Sequence, residues 1–259
     1  MVKKNPYDRF KDGKLEDKKI KEYVKERPKY DENIVRFIEN IYDANVGMVP
    51  NSLDVVKRLG SIKYGPNEVE EFSRWLEYRN DKSDWSAGRY LEALIKNMDG
   101  EEVTIHTKEY SNDIDAIGHH MGSKSIVIDG DAGDHLGHRM YNGRISVFGN
   151  AGDHVGSDMQ GGEITIHGNA KGVGVRMRGG KITIKGNAAN VSLDGLFGGE
   201  IWIEGDLPKW SDGSYKQCTP GGRVYHKGKL VFDVDPDYKR GKKLSDTLPK
   251  NSYDKKKKH

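Results

Sequence analysis

A repeat of about nineteen residues occupies the middle of the chain and constrains its fold more than any other feature. The segment GDAGDHLGHRMYNG at residues 130–143 returns as GNAGDHVGSDMQGG at residues 149–162. Short apolar bursts such as IVI and ITI recur with it, at steps of 19, 19, 18 and 19 residues. The aligned isoleucines are Ile126, Ile145, Ile164, Ile182 and Ile201. Agreement of several columns over five units indicates a repeat architecture.

Each unit predicts one turn of a parallel β-solenoid. Nineteen residues with two-residue apolar alternation are too few for a strand–helix–strand crossover, and they suit a short strand followed by tight corners. We expect glycines where a corner needs positive φ or close backbone approach, and asparagines whose side chains hydrogen-bond along the stack. These corner residues are Gly130, Gly149, Gly168, Gly186, Gly205, Asn150, Asn169 and Asn187.

The chain divides into three regions by pattern and composition. Residues 1–100 carry apolar residues at helical spacing and predict a small all-α region. Residues 101–232 hold about six to seven turns of the predicted solenoid, which places the chain in the α+β class. Residues 233–259 are lysine-rich and predict a disordered basic tail. Because no apolar run approaches the roughly 20 residues of a spanning helix, and the first residues lack a secretory pattern, we expect a cytoplasmic protein without a membrane partner.

The repeat resembles a known family in its detailed pattern. The run GNAGDHVGSDMQGGEITIHGNAKGVGVRMRGGKITIKGNA is similar to the GXGXG-type right-handed β-helix. That module forms the C-terminal domain of glutamate synthase large subunits and is similar to one of the subunits of formylmethanofuran dehydrogenases. The resemblance covers about residues 103–232 and implies a module without catalytic residues or a cofactor of its own. It implies protein partners, namely the other subunits of a redox or one-carbon enzyme.

Five of the nine histidines fall in three consecutive corners of the predicted stack. We expect His135 to lie over His154, His119 over His138, and Asp134 over Asp153. Stacked histidines with acids beside them are a candidate site for a divalent metal. The alternative is that these are polar corner residues tolerated by the stack, and this interpretation is the one we favour.

The outward strand positions suggest a covered surface. Val127, Phe148 and Trp202 point away from the predicted core, and two of them are large aromatic residues. Either the helical region folds back over this face or a different subunit packs on it. We slightly favour the helical region, because its short helices need a surface on which to bury their apolar stripes.

Three functional hypotheses follow from these patterns. The leading one is a non-catalytic scaffold or accessory subunit of an enzyme complex. The second is a metal-dependent hydrolase or lyase that uses the corner histidines. The third is a nucleic-acid adaptor held by the basic ends, which we do not favour because the chain has no recognisable nucleic-acid motif.

Overall fold

A computed structural model describes residues 29–44, 52–60, 62–79, 85–108, 113–193, 195–207 and 221–233. The predicted basic tail lies outside these ranges except for its first residue, and so does the lysine-rich start of the chain. In the described ranges no helix is both long enough and apolar enough to cross a membrane.

The middle of the chain forms a parallel β-solenoid of about six turns, as predicted. Its long sheet has the order β1-β2-β3-β4-β6-β8-β9-β10, and β5 pairs with β7 in a small second sheet. All pairings are parallel except the last, between β9 and β10. The strands are β1 (Glu102–His106), β2 (Ser125–Asp129), β3 (Arg144–Val147), β4 (Glu163–Ile166), β5 (Ala170–Val173), β6 (Arg178–Ile184), β7 (Ala188–Val191), β8 (Gly198–Ile203), β9 (Gly222–His226) and β10 (Lys229–Asp233).

The repeat columns become ladders of like residues. Ile126 pairs with Ile145, which pairs with Ile164, and the register continues through the next turns. Each isoleucine of the column is almost completely buried, as is the methionine column that includes Met140 and Met159. Because no single turn can bury its apolar side alone, the stack as a whole supplies the core.

The corner asparagines stabilise the stack mainly through the backbone. Oδ1 of Asn150 accepts a hydrogen bond from the backbone N–H of Asn169, at 2.9 Å, and Asn169 does the same for Asn187 at 2.8 Å. The glycine that precedes each asparagine is needed for close approach. A Cβ on Gly149 would lie 2.0 Å from Oδ1 of Asp131, so a larger residue cannot fit. The ladder therefore consists mainly of hydrogen bonds from a backbone N–H to a side-chain oxygen, rather than hydrogen bonds between side-chain amides.

Four helices precede the solenoid within the described residues: α1 (Glu32–Asp43), α2 (Ser52–Leu59), α3 (Pro66–Arg79) and α4 (Trp85–Asn97). Asp31 caps α1, because its Oδ1 accepts from the backbone N–H groups of Asn33 and Ile34. Phe72 of α3 and Tyr90 of α4 are fully buried in one hydrophobic cluster that continues into the first turns of the solenoid. The helices and the stack therefore share a core.

Helix α3 covers the free edge of β1, the first strand of the stack. The backbone N–H of His106 points away from β2 and donates to Oγ of Ser73, at 3.1 Å. The apolar stripe of α3 is buried as its spacing predicts, but Glu70 and Arg74 on the adjoining side are buried too. Docking against β1 therefore encloses a polar side that the sequence pattern assigns to solvent.

Candidate functional site at the histidine corner

The predicted histidine stacking is present on one edge of the solenoid. The rings of His135 and His154 lie 4.7 Å apart and within 15° of parallel, and those of His119 and His138 lie 5.1 Å apart. Both His135 and His154 have positive φ, near 60°. We call the group His119, His120, His135, His138 and His154 the histidine corner.

The aspartates of the two Asp-His pairs serve the backbone of the stack. The N–H of Asp134 donates to Oδ1 of Asp115 at 2.8 Å, and the N–H of Asp153 donates to Oδ1 of Asp134 at 2.7 Å. Oδ1 of Asp153 accepts from the N–H of His154 at 2.9 Å. These aspartates form a second ladder parallel to the asparagine ladder, which explains why an acceptor recurs at this position.

Helix α4 lies across the histidine corner. The ring of Trp85 is 4.5 Å from that of His135, and it meets His119 and His138 edge-on at about 6 Å. Gly88 allows this approach, since a Cβ there would lie 1.8 Å from the backbone oxygen of Asp115. The sequence patterns did not predict that α4 packs over the histidines. Gly88, a small residue on the side of α4 that faces the stack, is the local feature that indicates this close packing.

His119 is enclosed by charged side chains of α4. Its Nδ1 lies 2.5 Å from Nη1 of Arg89 and 3.2 Å from Oε2 of Glu92. Glu92 has only 3% of its side chain exposed and also pairs with Lys96 at 2.5 Å. The apolar spacing of α4 is that of an ordinary amphipathic helix, so the sequence pattern does not predict that the carboxylate of Glu92 is buried.

Burial favours the uncharged form of four of the five histidines in the corner. It lowers the pKa of His119, His120 and His135, with nearby Arg89, His119 and His154 respectively adding to the effect. Burial and the neighbouring His119 lower the pKa of His138 to about 4. These imidazoles are therefore neutral near pH 7, the form that binds metals.

The corner does not assemble a metal-ligand set in this conformation. Among the described residues, no three side chains of His, Cys, Asp or Glu are placed to hold one metal ion. Nδ1 of His135 and of His138 are buried without a hydrogen-bond partner, yet the two rings are nearly perpendicular at 5.8 Å. Asp134 and Asp153 are engaged by the backbone. The metal site therefore stays a prediction. Its candidate ligands are His119, His135, His138, His154, Asp134 and Asp153.

A second buried polar cluster joins α3 to the stack, and no pattern in the sequence predicted it. Nε2 of His106 lies 3.0 Å from Oε1 of Glu70, which also pairs with Arg74 at 2.5 Å. On its other side, Nδ1 of His106 lies 3.5 Å from Oδ2 of Asp129. Burial opposes protonation of His106, but hydrogen bonds to Asp129 and Glu70 outweigh it and raise its pKa. The hydrogen bond with His106 lowers the pKa of Asp129 to about 2.

The expectation that the helices cover the outward aromatics is wrong for Phe148. The helices pack at the β1 end of the stack, and Phe148 remains 58% exposed, stacked on His167 at 4.9 Å. Trp202 is half-buried between Tyr225, at 4.0 Å, and Nζ of Lys181. Val127 is also half-buried. The face thus keeps one aromatic side chain available to another molecule.

The histidine corner combines four imidazoles whose pKa is lowered, the ring of Trp85 and a His119 held between Arg89 and Glu92. In this conformation its polar atoms serve mainly to join α4 to the solenoid. Comparison with protein-family models gives no match for this chain, and comparison with curated proteins gives none that is significant.

Proposed function

We propose that the protein is a non-catalytic scaffold, an accessory subunit that organises a multi-subunit redox or one-carbon enzyme. The observation that carries this proposal is the use of the recurring polar residues. The carboxylates of Asp134 and Asp153 accept backbone hydrogen bonds within the stack. Residues that the repeat singles out as candidates for chemistry thus support the architecture.

The histidine corner supports the same conclusion. Trp85 lies over His135, and Arg89 and Glu92 enclose His119, which is buried, whereas the other four rings of the corner are half-buried. Polar and aromatic contacts of this kind suit the joining of a helix to a solenoid.

The outer surface offers features suited to binding other proteins. Phe148, directly after β3, is 58% exposed, and Tyr141, three residues before β3, is 47% exposed. Exposed aromatic side chains are typical anchors of protein interfaces. The resemblance of the repeat to the GXGXG module points to enzyme subunits as the partners.

Affinity purification of the intact protein from its own cells tests the proposal. We expect a stable complex with subunits of a redox or one-carbon enzyme at a fixed ratio. Phe148→Ser should reduce the yield of that complex, while Phe37→Ser, at an exposed position of α1, serves as a matched aromatic control. Turnover of a substrate by the isolated chain, or one equivalent of metal that His135→Ala and His154→Ala both remove, would contradict the scaffold role.

A further inference from the structure

A column of alternating charges follows the outer face of the long sheet. It contains one residue from each of β3, β4, β6, β8 and β9, and each residue is in register with the next. The members are Arg144, Glu163, Lys181, Glu200 and Arg223. Their signs alternate along the stack, and we call this set the charge column.

The charges of the column are only loosely paired with one another. Nε of Arg144 lies 3.4 Å from Oε2 of Glu163, and their side chains are 76% and 58% exposed. Nη1 of Arg223 lies 3.9 Å from Oε1 of Glu200. Exposed pairs of this kind contribute little to folding, so Arg144 and Glu163 can engage a partner at small cost. Lys181 and Glu200 are half-buried and also contact Trp202: Nζ of Lys181 lies 4.7 Å from the centre of its ring, and Oε2 of Glu200 accepts a hydrogen bond from its Nε1–H at 3.0 Å.

A groove of about 470 Å³ adjoins the charge column. Arg144, Glu163 and Lys181 line it, together with Gly143, Gly162 and other small residues of the preceding corners. The Cβ positions of Gly143 and Gly162 face the preceding turn, 2.2 Å from the backbone oxygen of Lys124 and 2.6 Å from Cε of Met140, so these glycines allow the turns to pack closely. The room for side chains of another molecule is the volume of the groove itself. The lining residues come from four successive turns, from Ser125 on β2 to Lys181 on β6, so the groove adjoins the first three charges of the column.

We propose that the charge column and its groove bind a surface helix of a partner protein, whose charges alternate in sign one helical turn apart. This inference rests on the proposed scaffold role and names the chemistry of the contact. Helix positions i and i+3 or i+4 lie about 5–6 Å apart, and adjacent strands lie about 4.8 Å apart. Four charged residues at successive turns of such a helix therefore meet four charges of opposite sign.

The pattern selects against partners of uniform charge. A nucleic acid strand or a polyacidic segment gains an ion pair at Arg144 and Lys181 but meets repulsion at Glu163 and Glu200. Only a partner with alternating signs avoids like-charge contacts along the whole column.

Two isomeric helical peptides test the proposal on the full chain. Both carry four charged residues one helical turn apart on one face, in the order Glu-Lys-Glu-Lys or Glu-Glu-Lys-Lys. Their composition and net charge are equal, so attraction to the lysine-rich ends of the protein affects them alike. The double variant Glu163→Lys with Lys181→Glu keeps the protein's net charge. From Arg144 to Glu200 its column carries two positive charges followed by two negative ones, which match the second peptide in all four positions.

We expect the wild type to bind the Glu-Lys-Glu-Lys peptide about tenfold more tightly than its isomer, because two exposed ion pairs replace two repulsions. The double variant should reverse the preference, and circular dichroism checks that it is folded. Equal affinities for the wild type, an unchanged preference in a folded variant, or displacement of the peptide by single-stranded DNA would overturn the proposal. If the enzyme complex forms while the peptides fail to discriminate, the scaffold role stands and its contact lies elsewhere.

Discussion

The carboxylate of Asp134 accepts a hydrogen bond from the backbone N–H of Asp153, its counterpart one turn further along the stack, at 2.7 Å. Both residues of the Asp134-His135 pair therefore have a partner in the next turn: the carboxylate of Asp134 binds the backbone of Asp153, and the ring of His135 stacks on that of His154. This relationship makes the repeat testable through stability.

Replacement of Asp134 by alanine removes one acceptor of the aspartate ladder. We expect a loss of about 1–2 kcal/mol in the free energy of unfolding, since a half-buried N–H is left without its partner. Asp134→Asn keeps an oxygen at the same place and should lose less. Urea unfolding of the two variants measures the difference, and equal losses would mean that the charge matters rather than the acceptor.

Removal of the Trp85 ring should uncover the histidine corner. Trp85→Ala is expected to increase the rate at which diethyl pyrocarbonate modifies His135 and His138, whereas Trp85→Phe keeps an aromatic cover and should change it little. Mass spectrometry of the modified protein reports each histidine separately, and the exposed His167, directly after β4, is the internal reference. Unchanged rates in Trp85→Ala would mean that α4 does not guard the corner.

Acidification should weaken the protein through the histidine corner. The pKa of His138 is about 4 in the folded state and about 6.5 in an unfolded chain, so the unfolded state takes up a proton first as pH falls. The free energy of unfolding is therefore unaffected by the protonation of His138 above about pH 6.5, and it falls as the pH decreases from there toward pH 4. Unfolding free energies measured at pH 7 and pH 5 should therefore differ less in His138→Gln than in the wild type.

His106 should act in the opposite direction. Its pKa is raised in the folded protein, so its contribution to stability is complete below the unfolded value and is lost as pH rises through the folded value. Titration of its ring proton signals by NMR should give a value above that of a free histidine. His106→Gln should flatten the stability profile on the alkaline side of about pH 6.5, and a steeper profile would contradict the assigned ion pairs.

The sequence was sufficient to predict the stack because every repeat reports on the same environment. The isoleucine, methionine, glycine and asparagine columns each occur several times, and the stacking of His135 on His154 follows from their position in those columns. The cover of the corner by Trp85 could not be predicted in this way. It joins residues about fifty positions apart in the chain, and nothing repeats that would reveal it.

The cluster of Glu70, Arg74 and His106 was hidden for a related reason. On α3, Glu70 and Arg74 occupy the side that an amphipathic pattern assigns to solvent, and docking on β1, which carries His106, buries them. The position of the helices, at the end of the stack and away from Phe148, was likewise set by that docking. Local periodicity describes which side of a helix is apolar, but it does not state which surface receives the helix.

The hydroxyl of Ser73 meets the outward N–H of His106 on the first strand. Without such a cover, the first strand of a parallel stack presents a row of unpaired backbone groups. An extended chain can pair with this row, including the same strand of another copy. Helix α3 packs on this edge of β1 within the molecule. The helical region therefore limits strand addition at this end of the stack, because without α3 the edge of β1 would be open to pairing with a strand of another copy.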